Sequence, residues 1–386
     1  MAVARVPSRH DRTSSQRPGH RCDAMNQALS GMTTGERALL GAATVFSLAS
    51  VICQFAGAPG IVNFVICAIA LGMLAWLVGF STEIIGTRFG PGATGVLQST
   101  LGNAPEFFVV IFALSSGQII VAQTAIFGSI FSNALLVLGL AIVFGSRASS
   151  DGVMRFERRL PNDTATLLLM SVFIITMLGL SANAGDRASH HQLAISVIGA
   201  VCLLGVYATW LNSYLRHDVA TSPLAKDLPH PEVTHVSLRT AFVLLGVAGV
   251  GAAFISDWFV QSINPAIAVA HVPKIFVGLV IVAIAGNAVE NLVGVRLAAK
   301  QKNDLAISVI KNSIAQIAVF LYPVLVLVSL LFATHLTFAV SPLLIGGLAL
   351  TAISVWQVTG NGEATEFEGW ALISLYIILA VVFLFE

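Results

Sequence analysis

The chain has 386 residues, of which 56% are hydrophobic and only 10% are charged. A soluble domain usually carries about 25% charged residues, so this composition excludes an ordinary soluble enzyme. The formal net charge of +1 gives no sign of a nucleic-acid partner. The four cysteines form no CxxC motif, so no disulfide framework is expected. We therefore expect an all-α polytopic membrane protein.

Apolar runs divide the chain into about 11 predicted transmembrane helices, since a spanning helix needs about 20 mostly apolar residues. In chain order they cover residues 38–56, 61–80, 93–115, 119–144, 163–182, 191–213, 237–258, 273–298, 304–331, 334–356 and 368–385. The first run is longer than the apolar core of a signal peptide, and we interpret it as an uncleaved helix.

Polar segments flank and divide this pattern. Residues 1–37 are rich in Arg, Ser and Gly and are predicted to form a disordered cytoplasmic tail. Residues 214–236 carry several charged and His residues and are interpreted as a cytoplasmic linker. The predicted domains are therefore an extra first helix, 38–56, followed by two five-helix units, 61–213 and 237–385.

The basic residues predict an orientation, because cytoplasmic loops accumulate Lys and Arg. With eleven helices, all but three of the 20 Lys and Arg residues fall on the side of the N-terminal tail. Arg187 and Lys274 fall on the opposite side, and Lys311 falls inside a predicted span. We predict a multi-pass protein of the cell membrane with a cytoplasmic N-terminus and an external C-terminus, and the simple design favours a bacterial plasma membrane.

A sequence repeat links the two units. Gly-Asn-Ala-Pro-Glu at 102–106 recurs as Gly-Asn-Ala-Val-Glu at 286–290, which is 184 positions later. Sliding the chain by 184 over residues 102–139 gives 10 identities in 38 positions, against about three expected by chance. The copies lie on the third and eighth predicted helices, so they enter the membrane in opposite directions. Inverted repeats are the architecture of secondary transporters, whose substrate site lies at the repeat interface near the membrane midplane.

The two motif glutamates are the strongest functional candidates. Glu106 is predicted about 13 residues into the third helix and Glu290 about 17 into the eighth. A carboxylate at that depth costs about 2.5–3.5 kcal/mol to insert, which argues against two idle ones at symmetric positions. Asn103 and Asn287 precede their glutamates by three residues and share a helical face with them. Pro105 leaves the carbonyl of the preceding turn available to another partner.

Polar side chains on the next helices complete the predicted site. Ser129 and Ser313 each follow their glutamate by 23 residues, and Asn133 adds another oxygen. The predicted cation- and proton-binding residues are Glu106, Glu290, Asn103, Asn287, Ser129, Ser132, Ser313 and Gln316, with Glu106 and Glu290 as the metal ligands.

This oxygen-only inventory favours particular ions. Calcium takes 6–8 oxygen ligands in a flexible shell, whereas zinc and copper prefer His or Cys. Two carboxylates in a low dielectric cannot easily stay both ionised and empty, so a cation leaves only when protons or other cations replace it. We expect no resident cofactor, with Ca²⁺ and H⁺ as transported substrates.

At these residues the chain resembles the calcium/proton exchanger family (CAX) of the calcium/cation antiporter superfamily. The resemblance rests on the two Gly-Asn-Ala-x-Glu motifs, on Gly-Ser-Ile-Phe-Ser-Asn at 128–133 and on Gln-Ile-Ala-Val-Phe at 316–320, and it runs over residues 61–385. It implies a membrane fold of eleven helices and alternating access. It also implies Ca²⁺/H⁺ antiport in which cation and protons compete for Glu106 and Glu290.

Three positions depart from the family pattern. Asn291 stands where the family usually has His, Asn312-Ser313-Ile314 stands where it has Gly-Ser-Ser, and Lys311 places a cation inside the ninth helix. Two positions on a helix correspond to about 200° of rotation, so we expect Lys311 to point away from Ser313 and to reach toward the cytoplasmic edge. If it pairs instead with Glu290, a Na⁺(K⁺)/H⁺ antiporter on the same fold is the alternative.

A membrane-embedded hydrolase is the alternative from a different class. It would need a metal or nucleophile set, but the sequence has no HExxH or GxSxG motif. We therefore predict that the protein is not an enzyme. Its expected partners are the lipid bilayer, Ca²⁺ or another small cation and protons, with no nucleic acid; the oligomeric state stays open.

Overall fold

The structure is a computed structural model that describes residues 32–89, 103–221 and 236–386. Long apolar helices dominate it, because a helix satisfies its backbone polar groups internally where no water is available. The helices are α1 Thr34–Phe55, α2 Gly60–Phe89, α3 Ala104–Ser115, α4 Ile119–Ala148, α5 Arg159–Ala184, α6 Gln192–Thr221, α7 Leu238–Ala270, α8 at residues 274–299, α9 Asn303–Ser329, α10 Pro342–Thr359 and α11 Glu366–Leu384.

The predicted class of helical polytopic membrane protein is confirmed. Among the residues described, nine helices are long and apolar enough to cross a membrane, or up to ten if the bent helix α8 counts as one span. The short helix Ala104–Ser115 follows a gap in the described chain. The count of eleven spans therefore stays a prediction.

The disordered tail predicted at 1–37 extends too far. α1 already begins at Thr34 because a capping box closes its N-terminus. The amide of Glu36 donates to Thr33 Oγ1 (3.3 Å), and the amide of Thr33 donates to Glu36 Oε2 (2.7 Å). Residues 1–31 lie outside the described chain.

The linker predicted at 214–236 is also shorter at its start. Helix α6 continues to Thr221. Residues 222–235 lie outside the described chain.

The buried centre of the molecule lies where α4, α8 and α9 pack against one another. In the most apolar 18-residue stretch of each helix, 89% of the residues of α4 and 67% of those of α9 are buried, compared with 11% of those of α1. The helices that carry the predicted site therefore form the core, and the extra first helix lies at the periphery.

The backbone repeats itself at this centre. α4 contains a π-helical segment at Ser132–Val137, and α9 contains one at Ile317–Leu321. Shifting the first segment by 184 gives 316–321, so the two irregularities occupy equivalent positions in the repeats. π-helical turns inside α-helices occur frequently at functional sites. A third segment, Val277–Val282, lies in α8.

A short two-stranded ribbon accompanies the helices of the predicted all-α fold. Strands β1 (Val153–Arg155) and β2 (Glu363–Thr365) pair antiparallel, with Met154 opposite Ala364. Such short strands lack the alternating pattern by which a strand is recognised in a sequence. The ribbon joins the loop after α4 to the loop before α11 and places both loops at one end of the molecule.

Exposed ion pairs also lie at this end of the molecule. Arg147 Nε donates to Glu366 Oε1 (2.9 Å), and Arg155 Nη1 donates to Asp151 Oδ2 (2.6 Å). Hydrogen bonds from the Ser149 hydroxyl and from Arg155 lower the pKa of Asp151 to about 2. All these side chains are exposed, so each pair contributes little to stability.

Candidate cation site

Four buried side chains from both repeats form one hydrogen-bonded network at the centre. Asn287 Nδ2 on α8 donates to Ser129 Oγ on α4 (2.8 Å). Asn133 Nδ2 on α4 donates to Asn287 Oδ1 (3.3 Å) and to Ser313 Oγ on α9 (3.0 Å). The exposed fraction of each of the four is 6% or less. Equivalent serines of the two repeats, Ser129 and Ser313, are thus joined through two amides.

Close packing of glycines allows α4 and α8 to approach this closely. A Cβ atom on Gly128 would lie 2.1 Å from the Leu279 carbonyl oxygen. A Cβ atom on Gly278 would lie 2.0 Å from Thr124 Oγ1. Membrane helices pack through small residues at such contacts, since no hydrophobic force drives them together in lipid. Larger side chains at either glycine would separate the helices that form the network.

Glu106 lies in the first turn of α3. Asn103 has the non-helical angles φ −89° and ψ 18°, and the helix begins at the next residue with Pro105 in its first turn. Among the described residues the predicted third helix therefore begins at Ala104, and the part of the prediction at 93–102, which placed Glu106 about 13 residues into that helix, lies outside them. Proline suits the first turn, where its missing N–H needs no partner. The N-terminal end of a helix carries a partial positive charge that favours a carboxylate.

The Glu106 side chain reaches the second motif. Its exposed fraction is 5%. A Cβ atom on Gly286 would lie 2.6 Å from Glu106 Oε1 and 3.1 Å from its Cδ atom. Gly286 directly precedes Asn287 of the network, so the carboxylate of the first motif lies against the backbone of the second.

The two motif asparagines differ in their hydrogen bonds. Asn287 donates to Ser129 and to the Ala283 carbonyl oxygen (3.0 Å), and it accepts from Asn133. Neither Oδ1 nor Nδ2 of Asn103 has a hydrogen-bond partner among the described residues, although the exposed fraction of Asn103 is only 3%. Buried polar groups are normally paired, so this amide has the capacity to bind a ligand.

The remaining predicted site residues are Glu290, Ser132 and Gln316. Glu290 lies on α8, but its side chain is outside the described part of the structure. The α8 segments Lys274–Asn287 and Asn291–Ala299, on either side of Glu290, are inclined by 60°. Ser132 is fully buried at the first residue of the π-helical segment of α4. Gln316 is half-buried and does not take part in the four-residue network.

Lys311 is fully buried on α9. Its Nζ atom donates to Thr359 Oγ1 (2.9 Å), and Thr359 is the last residue of α10. The predicted alternative, a pair with Glu290, falls on a side chain that the structure does not describe. Thr359 was missed as a partner because nothing in its sequence context indicates a contact 48 residues away.

A helical membrane protein in which two sequence-related motifs face each other across a buried polar centre has the architecture of a secondary cation transporter. The family described as sodium/calcium exchanger protein matches residues 59–212 and 240–385, and the chain belongs to this family.

Curated relatives cover most of the chain. A protein from Synechocystis sp. named Ca(2+)/H(+) antiporter is 30% identical over 342 residues, which is 84% of this chain and 91% of the relative. The Ca(2+)/H(+) antiporter ChaA of Bacillus subtilis is 28% identical over 332 residues, 84% of this chain and 92% of the relative.

Solved structures have a similar fold. The structure of native YfkE superposes with a TM-score of 0.76 at 25% identity, covering 90% of this chain and 100% of that chain. The crystal structure of the H⁺/Ca²⁺ exchanger CAX superposes with a TM-score of 0.68 at 14% identity, over 91% and 93% of the two chains. At that identity the second comparison speaks for the fold alone.

Proposed function

We propose that the protein is a secondary active antiporter that exchanges Ca²⁺ for protons by alternating access. The observation that carries the proposal is the buried Glu106 carboxylate held against Gly286, at the interface between the two motifs. The relatives named Ca(2+)/H(+) antiporter support the same substrates. The chemistry is transport, and no enzymatic step is part of the proposal.

In this mechanism Glu106 and Glu290 are the shared ligands of cation and protons. A carboxylate at membrane depth carries no net charge when it is protonated, and a bound Ca²⁺ balances two ionised carboxylates. The empty and doubly ionised site is disfavoured by desolvation and by like-charge repulsion. Release of Ca²⁺ on one side of the membrane is therefore coupled to uptake of protons on that side.

Neutral oxygens complete the coordination shell. Asn103 supplies an amide oxygen three residues before Glu106, and it has no other partner among the described residues. The hydroxyls of Ser129, Ser132 and Ser313 and the amide of Gln316 are further candidate ligands. Such a mixed set of carboxylate and neutral oxygens suits the flexible shell of calcium.

The proposed orientation has a cytoplasmic N-terminus and an external C-terminus in the plasma membrane of a bacterium. Its main support is the excess of Lys and Arg on the N-terminal side of the predicted topology. The ribbon of β1 and β2 agrees with this topology, because it joins two loops assigned to that same side.

Proton movement in inside-out vesicles tests the proposal. We expect Ca²⁺ to dissipate an imposed proton gradient in the wild type, and Glu106→Gln and Glu290→Gln to abolish this response. The conservative variant Asp304→Asn removes an acid that pairs with the backbone of Glu157 away from the motifs, and it should keep activity. If no cation dissipates the proton gradient in the wild type, the proposal is contradicted.

Na⁺(K⁺)/H⁺ exchange is the second candidate, and the buried Lys311 is the observation that favours it. One lysine charge near the site reduces the charge that a cation must balance. A gradient dissipated by Na⁺ or K⁺ and not by Ca²⁺ would select this candidate on the same fold.

A further inference from the structure

Lys311 breaks the repeat at a position that is fully buried in both halves. Its equivalent in the first half, 184 positions earlier, is Phe127. Both side chains are fully buried. Phe127 packs edge-on against Tyr322 with ring centroids 5.8 Å apart, as an ordinary core residue does. The second half therefore places a cationic side chain where the first half has an apolar one.

Two neighbouring groups favour the protonated form of Lys311, whereas complete burial opposes it. Thr359 Oγ1 donates its own proton to the Val355 carbonyl oxygen (2.7 Å), so toward Lys311 it acts as an acceptor. Thr359 ends α10, and the carbonyl end of a helix carries a partial negative charge that favours a cation. Among the described residues Lys311 forms no ion pair. Its charge is therefore not cancelled by a described carboxylate.

Lys311 lies close to the cation site without joining it. It precedes Ser313 by two residues, which is about 3 Å along the helix axis and about 200° around it. The ammonium and the Ser313 hydroxyl thus lie on opposite sides of α9, roughly 10 Å apart for a helix of that diameter. Ser313 accepts from Asn133 of the network. In a buried environment a charge at this distance acts with little screening by salt.

We propose that Lys311 is a specificity-determining residue: in its protonated form it weakens the binding of a divalent cation more than that of a monovalent one. The inference rests on the proposed function and names what sets the ion preference of that site. Because Coulomb repulsion is proportional to the charge of the bound ion, removing Lys311 changes the dissociation constant of a divalent ion by the square of the factor for a monovalent ion.

Equilibrium binding to the purified full-length protein in detergent tests this charge rule separately from transport. Radioactive Ca²⁺ reports the Ca²⁺ dissociation constant, and displacement of Ca²⁺ by Na⁺ reports the Na⁺ constant. At mildly acidic pH, where the amine is protonated, a separation of about 10 Å and an effective dielectric constant of about 20 predict that Lys311→Met tightens Na⁺ binding about 17-fold and Ca²⁺ binding about 300-fold.

Two further variants separate charge from packing. Lys311→Gln is neutral but can still donate to Thr359, and it should give the same two factors as Lys311→Met. Lys311→Arg keeps the charge, and both constants should stay within about twofold of the wild type. Equal factors for Na⁺ and Ca²⁺, or a change in Lys311→Met that is absent in Lys311→Gln, would overturn the inference.

The vesicle assay tests the proposed function independently of the binding measurements, which test the charge rule. A wild type that binds Ca²⁺ but moves no protons in vesicles contradicts antiport, while the binding constants of the variants still decide the charge rule. A wild type that binds neither Ca²⁺ nor Na⁺ contradicts both.

Discussion

The two Gly-Asn-Ala-x-Glu motifs share four of five residues, yet they lie in different backbone settings. The first motif opens a helix, with Asn103 before its first turn and both Pro105 and Glu106 within that turn. The second motif lies inside α8, where Asn287 bonds to α4 and to its own preceding turn. Proline at one position, with valine at its equivalent, is the sequence difference that accompanies these settings.

The comparison shows that equivalent residues of the two motifs, Asn103 and Asn287, can have different roles. Asn287 has its hydrogen-bonding atoms engaged and bridges the two repeats, which is a structural task. Asn103 is equally buried but has no partner among the described residues, which suits a ligand. In the proposed site the first half thus supplies an amide as a candidate ligand, and Asn287 of the second half bonds to Ser129 and Asn133 of the first and so joins the two halves.

The largest effect is expected for Asn287→Ala. The change leaves the buried hydroxyl of Ser129 and the amide of Asn133 with lost partners, and each unpaired buried group costs about 1–3 kcal/mol. We expect destabilisation on the order of 3 kcal/mol and loss of Ca²⁺-driven proton flux. Thermal unfolding in detergent measures the first and vesicle fluorescence the second.

The matched control for this change is Asn183→Ala on α5. Among the described residues, Asn183 donates only to the Gly179 carbonyl oxygen of its own helix. Its removal should therefore leave stability and transport nearly unchanged. If Asn287→Ala and Asn183→Ala lower the melting temperature equally, the claim that Asn287 bridges the repeats is contradicted.

The next effect concerns Gly286→Ala. The new methyl group would lie 2.6 Å from Glu106 Oε1, so the carboxylate must move away. Because the end of a flexible side chain can yield, we expect a small change in melting temperature but at least a tenfold loss of apparent Ca²⁺ affinity, on the order of 1.4 kcal/mol. Transport titrated with Ca²⁺ measures this loss.

Gly246→Ala on α7 is the control, because no atom of the described part of the chain lies within 4 Å of the added methyl group. It should keep the apparent Ca²⁺ affinity of the wild type. Unchanged affinity in Gly286→Ala would show that Glu106 and the second motif do not act together.

Asn103→Ala should affect function without affecting stability. Removing a buried amide that lacks a partner among the described residues costs no hydrogen bond there and relieves an unpaired polar group. We expect an unchanged or raised melting temperature together with a Ca²⁺ affinity that falls about tenfold, roughly 1.4 kcal/mol. A stability loss as large as that of Asn287→Ala would contradict the different roles assigned to Asn103 and Asn287.

The smallest effect is expected at the ribbon, in Asp151→Asn. The pKa of Asp151 is lowered to about 2 by hydrogen bonds from Ser149 and Arg155. Its stabilising contribution is therefore present above the ordinary carboxyl pKa and is lost as the pH falls toward about 2. The difference in melting temperature between wild type and variant should be constant near neutral pH and shrink below pH 4 or so. A difference that does not depend on pH would contradict this assignment.

Much of the architecture can be predicted because long apolar runs and an inverted repeat leave direct marks in a sequence. The membrane class and the family follow from composition and from the two motifs. The start of α3 at Ala104 could not be predicted, since the apolar run continues across it and hydropathy does not report where helical backbone begins. The contact of Lys311 with Thr359 depends on how α9 and α10 pack, which no local pattern encodes.

The candidate site could likewise be predicted only in part from the sequence. Glu106, Asn103 and Ser129 could be selected because charged and amide groups are costly in membrane helices and therefore rarely idle. The unequal bonding of the two asparagines could not be predicted, because their motifs are nearly identical and the difference arises from the helices around them.

The central claim is that cation and protons share the carboxylates at the interface of the two motifs. The most direct measurement counts the protons released when Ca²⁺ binds to the purified protein, by calorimetry in two buffers of different ionisation enthalpy. The account predicts that Ca²⁺ binding releases protons and that Glu106→Gln weakens binding and releases fewer of them. Tight Ca²⁺ binding without proton release, unchanged in Glu106→Gln, would contradict it.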